Sequence, residues 1–190
     1  MSVRLLEALQ RHPVIAAVKS LDDFDDALQS DCTILFLLCG NIFNLGKVVQ
    51  RAKALDKLIF LHMDLIEGFS RDAVALRYIA QEIQPDGIIS TKNSQLKAAK
   101  EMGLLTVQRL FIVDSRSIQT TERSSELIQP DLVEILPGIM PRIIRRISSR
   151  LEIPVIAGGL VSEAEDVVNA KQNGALGVSA SSKDLWNLVL

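Results

Sequence analysis

A chain of 190 residues, 48 % hydrophobic and of mean hydropathy +0.24, has ample length for one sizeable core and too much apolar content for a disordered segment. Only 4 % of residues are aromatic, so that core is aliphatic. The net charge of −2 gives no overall attraction to nucleic acid or anionic lipid, and a polyanion partner has to be held by a local patch.

Read in chain order, Val3–Arg11 places Leu5, Leu6 and Leu9 at helical spacing. Short apolar runs bounded by turn residues then predict strands over Val14–Ser20, Thr33–Gly40, Leu58–Ile66 and Gly87–Thr91. Four more follow at Leu104–Val113, Leu132–Leu136, Pro154–Gly159 and Ala175–Ala180. Amphipathic helices separate them, among them Ser70–Ile83, Lys92–Met102 and Ser162–Gln172, the last with Ser162 and Glu165 spaced as a capping box. Strands that alternate with helices form a parallel sheet, and eight is the number at which it closes on a lumen filled by side chains. The expected fold is α/β, a single-domain (β/α)8 TIM-type barrel over residues 1–190. Residues 3–11 form an extra helix that plugs its floor. An open doubly wound sheet is the rival, but no Gly-x-Gly-x-x-Gly follows the first strand.

Cys32 and Cys39 bracket one apolar run. In an extended strand they stand roughly 23 Å apart, far beyond disulfide reach, which fits a reducing cytosol. No apolar run reaches the ~18 residues of a membrane span. Met1-Ser2-Val3-Arg4 carries charge where a secretory signal needs apolar residues. A cytoplasmic location is expected.

Working groups in such a barrel sit where strands end and βα loops begin. The seventh and eighth strands end in Gly158-Gly159 and Ser179-Ala180-Ser181, each before a helix start. Glycine permits close approach to the backbone, and helix starts offer free N–H groups to an anion. The pattern suits a phosphate, and equally a tight turn with serine caps. Lys19, ending the first strand, and Lys92, after the fourth, are placed to neutralise phosphate charge; Lys92 also has the chemistry for a Schiff base. His62 and Asp64 share a face at the end of the third strand, suited to a hydroxyl pair, a metal, or a buried pair that supports loops. No further ligands accompany them, since His12 precedes the first strand, so no metal is expected. Glu134 interrupts an apolar strand and needs either ligand hydroxyls or an internal cation. Gln108 and Arg109 interrupt the fifth strand on opposite faces, so at most one enters the lumen. There is no Gly-x-Ser-x-Gly elbow and no cysteine–histidine pair, and no catalytic residue is assigned. The residues themselves describe a polyhydroxy-phosphate pocket. An isomerase, aldolase or phosphodiesterase of a small phosphorylated polyol or sugar fits that description, as does a sensor acting through a protein partner.

Several segments run in order across nearly the whole chain: His62-Met63-Asp64-Leu65-Ile66-Glu67-Gly68, Asp86-Gly87-Ile88-Ile89-Ser90-Thr91-Lys92, Gln108-Arg109-Leu110-Phe111 with Asp114-Ser115, and Pro130-Asp131 leading into Glu134-Ile135-Leu136-Pro137-Gly138. They continue with Pro154-Val155-Ile156-Ala157-Gly158-Gly159-Leu160 and Val178-Ser179-Ala180-Ser181 with Leu185-Trp186. As an ordered set they resemble the glycerol-3-phosphate-responsive antiterminator family, regulators of glycerol-use operons in bacteria. The resemblance implies a non-enzymatic barrel with no cofactor, which binds glycerol 3-phosphate and then stabilises an antiterminated leader mRNA. By position it implies Gly158, Gly159, Ser179 and Ser181 as a phosphate cradle, with His62, Asp64, Lys92 and Glu134 as walls. Ala180 stands where a hydroxyl residue is expected in relatives, one phosphate contact fewer.

For the RNA, two basic surfaces present themselves. One is the helix after the sixth strand, with Arg142, Arg145, Arg146 and Arg150 opposite Ile143, Ile144 and Ile147. The other is the region of the second crossover, with Lys47, Arg51, Lys53 and Lys57. Either is also ordinary solvated surface, and the acidic run Asp22, Asp23, Asp25 and Asp26 should repel RNA. A ligand that reshapes the molecule or pairs its copies into a homo-oligomer is one way to make a basic face competent.

Overall fold

The computed structural model describes residues 2–189. Eight parallel strands close in consecutive order, β8 returning to pair with β1. They are β1 (Val14–Val18), β2 (Ile34–Leu37), β3 (Leu58–His62), β4 (Gly87–Ser90), β5 (Leu105–Phe111), β6 (Leu132–Leu136), β7 (Val155–Gly158) and β8 (Gly177–Ala180). The helices are α1 (Val3–Arg11), α2 (Phe24–Gln29), α3 (Leu45–Ala54), α4 (Ala73–Tyr78), α5 (Asn93–Glu101), α6 (Ser115–Ile128), α7 (Pro141–Ser148) and α8 (Ala164–Gln172).

Alternation along each strand divides the interior in two. One set of side chains faces the helices and forms the larger core, in which Trp186 is 1 % exposed. The other fills the lumen with Ile15, Phe36, Phe60, Val107, Leu132 and Ile156. Leu5 and Leu9 of α1 belong to this inner cluster, so α1 does close the floor. Phe36 and Phe60 meet edge-on, centroids 5.6 Å apart. Gly87 makes that fit: a Cβ there would lie 2.5 Å from both the Phe60 ring and the Leu105 carbonyl.

Lysines hold the floor's helix ends. Lys53 and Lys100 donate to carbonyls that close α4's extension and α6, and buried Lys57 bonds the Ser30 and Cys32 carbonyls at 2.8 and 2.7 Å.

Several expected boundaries are corrected. The third strand stops at His62, not Ile66, because Leu65 and Ile66 turn back to bond the His62 carbonyl. The sixth and eighth strands end at Leu136 and Ala180 as expected, whereas the first, second, fourth, fifth and seventh stop short of their expected ends, at Val18, Leu37, Ser90, Phe111 and Gly158. The Ser70–Ile83 helix starts at Ala73, where the Asp72 carboxylate caps Val74 and Ala75, and finishes as a π-turn over Ile79–Ile83. The Ser162/Glu165 box is shifted by a residue: the Asp166 carboxylate accepts from the Ser162 and Glu163 N–H groups. No helix among the described residues is long and apolar enough to cross a membrane.

Candidate functional site

Above the aliphatic layer the lumen turns polar. Two residues up from Val107 comes Arg109; above Leu132 comes Glu134; above Phe60 comes His62; above Gly177 come Ser179 and then Ser181. Arg109 and Glu134 are register partners, and Arg109 Nε donates to Glu134 Oε2 at 2.5 Å. Ser179 Oγ donates to Glu134 Oε1, also at 2.5 Å. Glu134 is fully buried, so its charge depends on these two donors. Of the two readings left open for Glu134, the internal ion pair is therefore present. Gln108, on the opposite face of β5, enters the helix layer and bonds Asn93, Ser124 and Ser125.

The Ser179–Glu134 bond crosses over β7 at Gly158. A Cβ on Gly158 would meet both oxygens, lying 2.5 Å from Glu134 Oε1. Gly158 is thus a notch for a side-chain bridge, and the space above it is filled by the protein itself.

His62 is 3 % exposed, and its pKa is pushed down to about 4 by burial first and the Arg109 charge second, against the opposing pull of Asp64. At neutral pH it is an uncharged imidazole. Burial raises the Asp64 pKa, but the Thr91 N–H and other donors outweigh this and hold it below the usual value. Asp64 Oδ2 accepts from Thr91 N at 3.0 Å, Thr91 Oγ1 at 3.2 Å and Ser90 Oγ at 3.3 Å, tying the third loop to the fourth. Among the described residues, His62 Nδ1 and Asp64 Oδ1 are buried with no hydrogen-bond partner.

A cavity of about 220 Å³ opens at the mouth. Lys19, Arg109, Glu134, Gly159, Ser179 and Ser181 line its polar side, with Leu38, Leu136 and Leu160 among its apolar walls. That is below the ~300–1,000 Å³ of drug-sized sites and suits a small metabolite. The expected Lys19, Glu134, Gly159, Ser179 and Ser181 are brought together here. Gly158 is not on the lining, and Lys92 stands at the N-cap of α5, where its charge acts on Asp64. Ala180 belongs to the outer core, its carbonyl accepts from Trp186 Nε1 at 2.8 Å, and it also borders the mouth cavity. A larger cavity, about 690 Å³, lies at the other end between His12, Lys171 and Val189. Ligands of this fold bind at the C-terminal strand ends, so the smaller mouth cavity is taken as the site.

Of Gln108 and Arg109, it is Arg109 that enters the lumen and joins the site, a role the sequence reading does not assign to it. Its signal was legible: opposite charges two positions above lumenal Val107 and Leu132, on consecutive strands. Among the described residues no group of three or more His, Cys, Asp or Glu is placed to hold a metal.

The basic patch of the second crossover is largely engaged. Arg51 pairs with Asp25 and lies 5.3 Å over the Phe24 ring, and Lys53 and Lys57 hold carbonyls, leaving Lys47 exposed. The acidic run is engaged as well, for Lys183 bridges Asp23 and Asp26 at 2.5 and 2.7 Å. Arg150 binds Glu122 at 3.1 Å, while Arg142, Arg145 and Arg146 stand exposed.

A closed (β/α)8 barrel with a small polar cavity at its mouth is the class that this fold and site define. Within it, the chain belongs to the glycerol-3-phosphate responsive antiterminators, whose family pattern matches residues 14–186. It is similar to the glycerol uptake operon antiterminator regulatory protein of Listeria monocytogenes str. 4b F2365: 36 % identity, TM-score 0.87, covering 92 % of this chain and 95 % of that one. A glycerol uptake operon antiterminator-related protein of Thermotoga maritima MSB8 is 30 % identical at a TM-score of 0.78, over 91 % of this chain and 96 % of its own. The uncharacterized protein YgcP of Escherichia coli (strain K12) is 40 % identical over 184 residues, 97 % of this chain and 96 % of that protein.

Proposed function

We propose that this protein is a sensor: glycerol 3-phosphate enters the mouth and is bound unchanged, and the liganded protein holds the leader mRNA of a glycerol-utilisation operon so that transcription continues. The observation that carries the ligand assignment is the pair of buried, unpartnered atoms, His62 Nδ1 and Asp64 Oδ1. Neither residue lines the mouth cavity, but His62 feels the charge of cavity-lining Arg109, and Asp64 interacts with His62. A neutral imidazole and an ionised carboxylate offer complementary partners to neighbouring hydroxyls. Lys19, Gly159 and Ser181 form the phosphate end, with Lys92 adding positive charge beside Asp64. An RNA-directed regulator works in the cytoplasm, and membership of a regulatory family supports a binding role without catalysis.

Thermal unfolding tests the reading. Effector at ~100 times its Kd stabilises the folded state by about 2.7 kcal/mol, a rise of roughly 5–10 °C at this chain length. Glycerol and inorganic phosphate, supplied separately, should each give much smaller rises. Gly159→Asp sets a carboxylate in the cavity wall and is expected to abolish the effector's rise while the protein still unfolds cooperatively. A wild-type protein that is not stabilised, or that consumes the effector, refutes the sensor reading.

A further inference from the structure

Two helices outside the mouth, α3 and α7, each carry three cations and no acid, and among the described residues those of α7 are the exposed and unpaired set. The segment Pro141–Ser148 that forms α7 contains three arginines and no acid. Its Ile144 and Ile147 are buried and fix the helix rotation, which leaves Arg142, Arg145 and Arg146 exposed. Spaced i, i+3 and i+4, these guanidinium groups share one face. Among the described residues none forms an ion pair or hydrogen bond with their side chains, in contrast to Arg51 and Arg150.

Two apolar features belong to the same β5–β6 sector of the barrel. An open cleft of about 430 Å³ at the start of α7 has Met140, Pro141 and Ile143 between Arg142 and Arg146. On the rim, Phe111 is 58 % exposed and Ile139 43 %, neither covered by another part of the chain. Free guanidinium groups around an apolar cleft match single-stranded nucleic acid, whose phosphates need cations and whose unstacked bases need flat apolar or aromatic partners.

This surface also touches the effector site. Phe111 is the register partner of Leu136, and Ile112 N donates to the Leu136 carbonyl at 2.8 Å. Leu136 lines the mouth cavity and covers Gly159, and Gly138 N bonds the Gly159 carbonyl at 2.9 Å. The loop that leads into α7 therefore rests on the cavity wall.

We propose that leader RNA binds single-stranded over the β5–β6 sector of the rim, its phosphates on Arg142, Arg145 and Arg146, one base in the cleft at the start of α7 and another stacked on Phe111. This rests on the RNA-binding reading above and adds the surface and its link to the effector through Leu136.

The test is retention of a fluorescently labelled leader transcript, with saturating glycerol 3-phosphate, over a range of KCl concentrations. Arg142→Ala/Arg146→Ala is expected to weaken binding at least about tenfold and to lower the log–log salt slope by about 1.4, at ~0.7 per single-strand phosphate. Phe111→Ala should weaken it about fivefold or more with the slope unchanged. Lys47→Ala, on the α3 surface, should change neither. All three should keep the effector's thermal stabilisation. Wild-type affinity and slope in the double variant, or loss only in Lys47→Ala, overturns the placement. A wild-type protein that binds no leader RNA overturns the antitermination reading itself.

Discussion

Substituting Gly158 by alanine tests the bridge at the top of the lumen most directly. The new Cβ would lie against Ser179 Oγ and 2.5 Å from Glu134 Oε1, both side chains being almost fully buried. Neither is the loose end of a surface chain: Ser179 is on β8, and Glu134 is held by Arg109. Overpacking of this kind costs about 1–3 kcal/mol, and stretching a hydrogen bond to a charged group adds about 1.5–3 kcal/mol. The lower entropy of alanine in the unfolded chain returns about 0.5 kcal/mol. The expected net loss is about 2–5.5 kcal/mol, a fall in Tm of roughly 4–22 °C at 2–4 °C per kcal/mol. Urea and thermal unfolding without effector measure it. In a Ser179→Ala background one clashing oxygen is gone, so the double variant should lose at least about 1 kcal/mol less than the sum of the singles. A loss below about 1 kcal/mol, or additivity within about 0.5 kcal/mol, would refute the notch argument and return Gly158 to a ligand role.

Three further outcomes follow from the same groups. Glu134→Gln removes the charge opposite Arg109 and should cost about 3–5 kcal/mol by urea unfolding, most of it recovered in Arg109→Met/Glu134→Leu; a neutral Glu134→Gln would show that the pair is not desolvated. His62 takes up its proton near pH 4 in the folded protein and near 6.5 in the unfolded chain, so the unfolded state binds more protons in between. Its contribution is complete above pH 6.5 and is lost as pH falls, by about 2 kcal/mol at pH 5. His62→Gln should therefore lose that much less stability between pH 7 and 5 than wild type, and parallel profiles would contradict the buried neutral imidazole. Burial pushes the Cys32 thiol up to about 12 and also raises that of half-buried Cys39. A Cys39→Ser variant should then release no colour with a thiol reagent at pH 8 until denatured, whereas rapid native labelling would disprove the packing of Cys32.

The barrel was legible because its determinants are local and repeated. Apolar runs such as Ile34–Leu37 between amphipathic helices specify a parallel sheet covered on both faces, and the Leu5/Leu9 spacing already indicated a helix with one face to bury. Strand ends were less legible, since Met63 and Ile66 are as apolar as the strand they follow and only the ladder's end distinguishes them. The candidate site was half visible. Lys19, Gly159 and Ser181 follow from position at strand ends, the place where this architecture gathers groups.

What the sequence determined by itself is therefore the eight-stranded barrel, its plugged floor and the strand ends that face its mouth, since each is encoded by periodicity within a few residues. Which polar groups there remain free was decided by contacts between strands far apart in the chain. Closure set Arg109 and Ser179 on either side of Glu134, 25 and 45 residues away, and so turned Gly158 from a cradle into a notch. The same packing engaged Arg51 and Lys57 while leaving the arginines of α7 exposed. A charge's availability depends on its partners, and those partners come together only when the sheet closes.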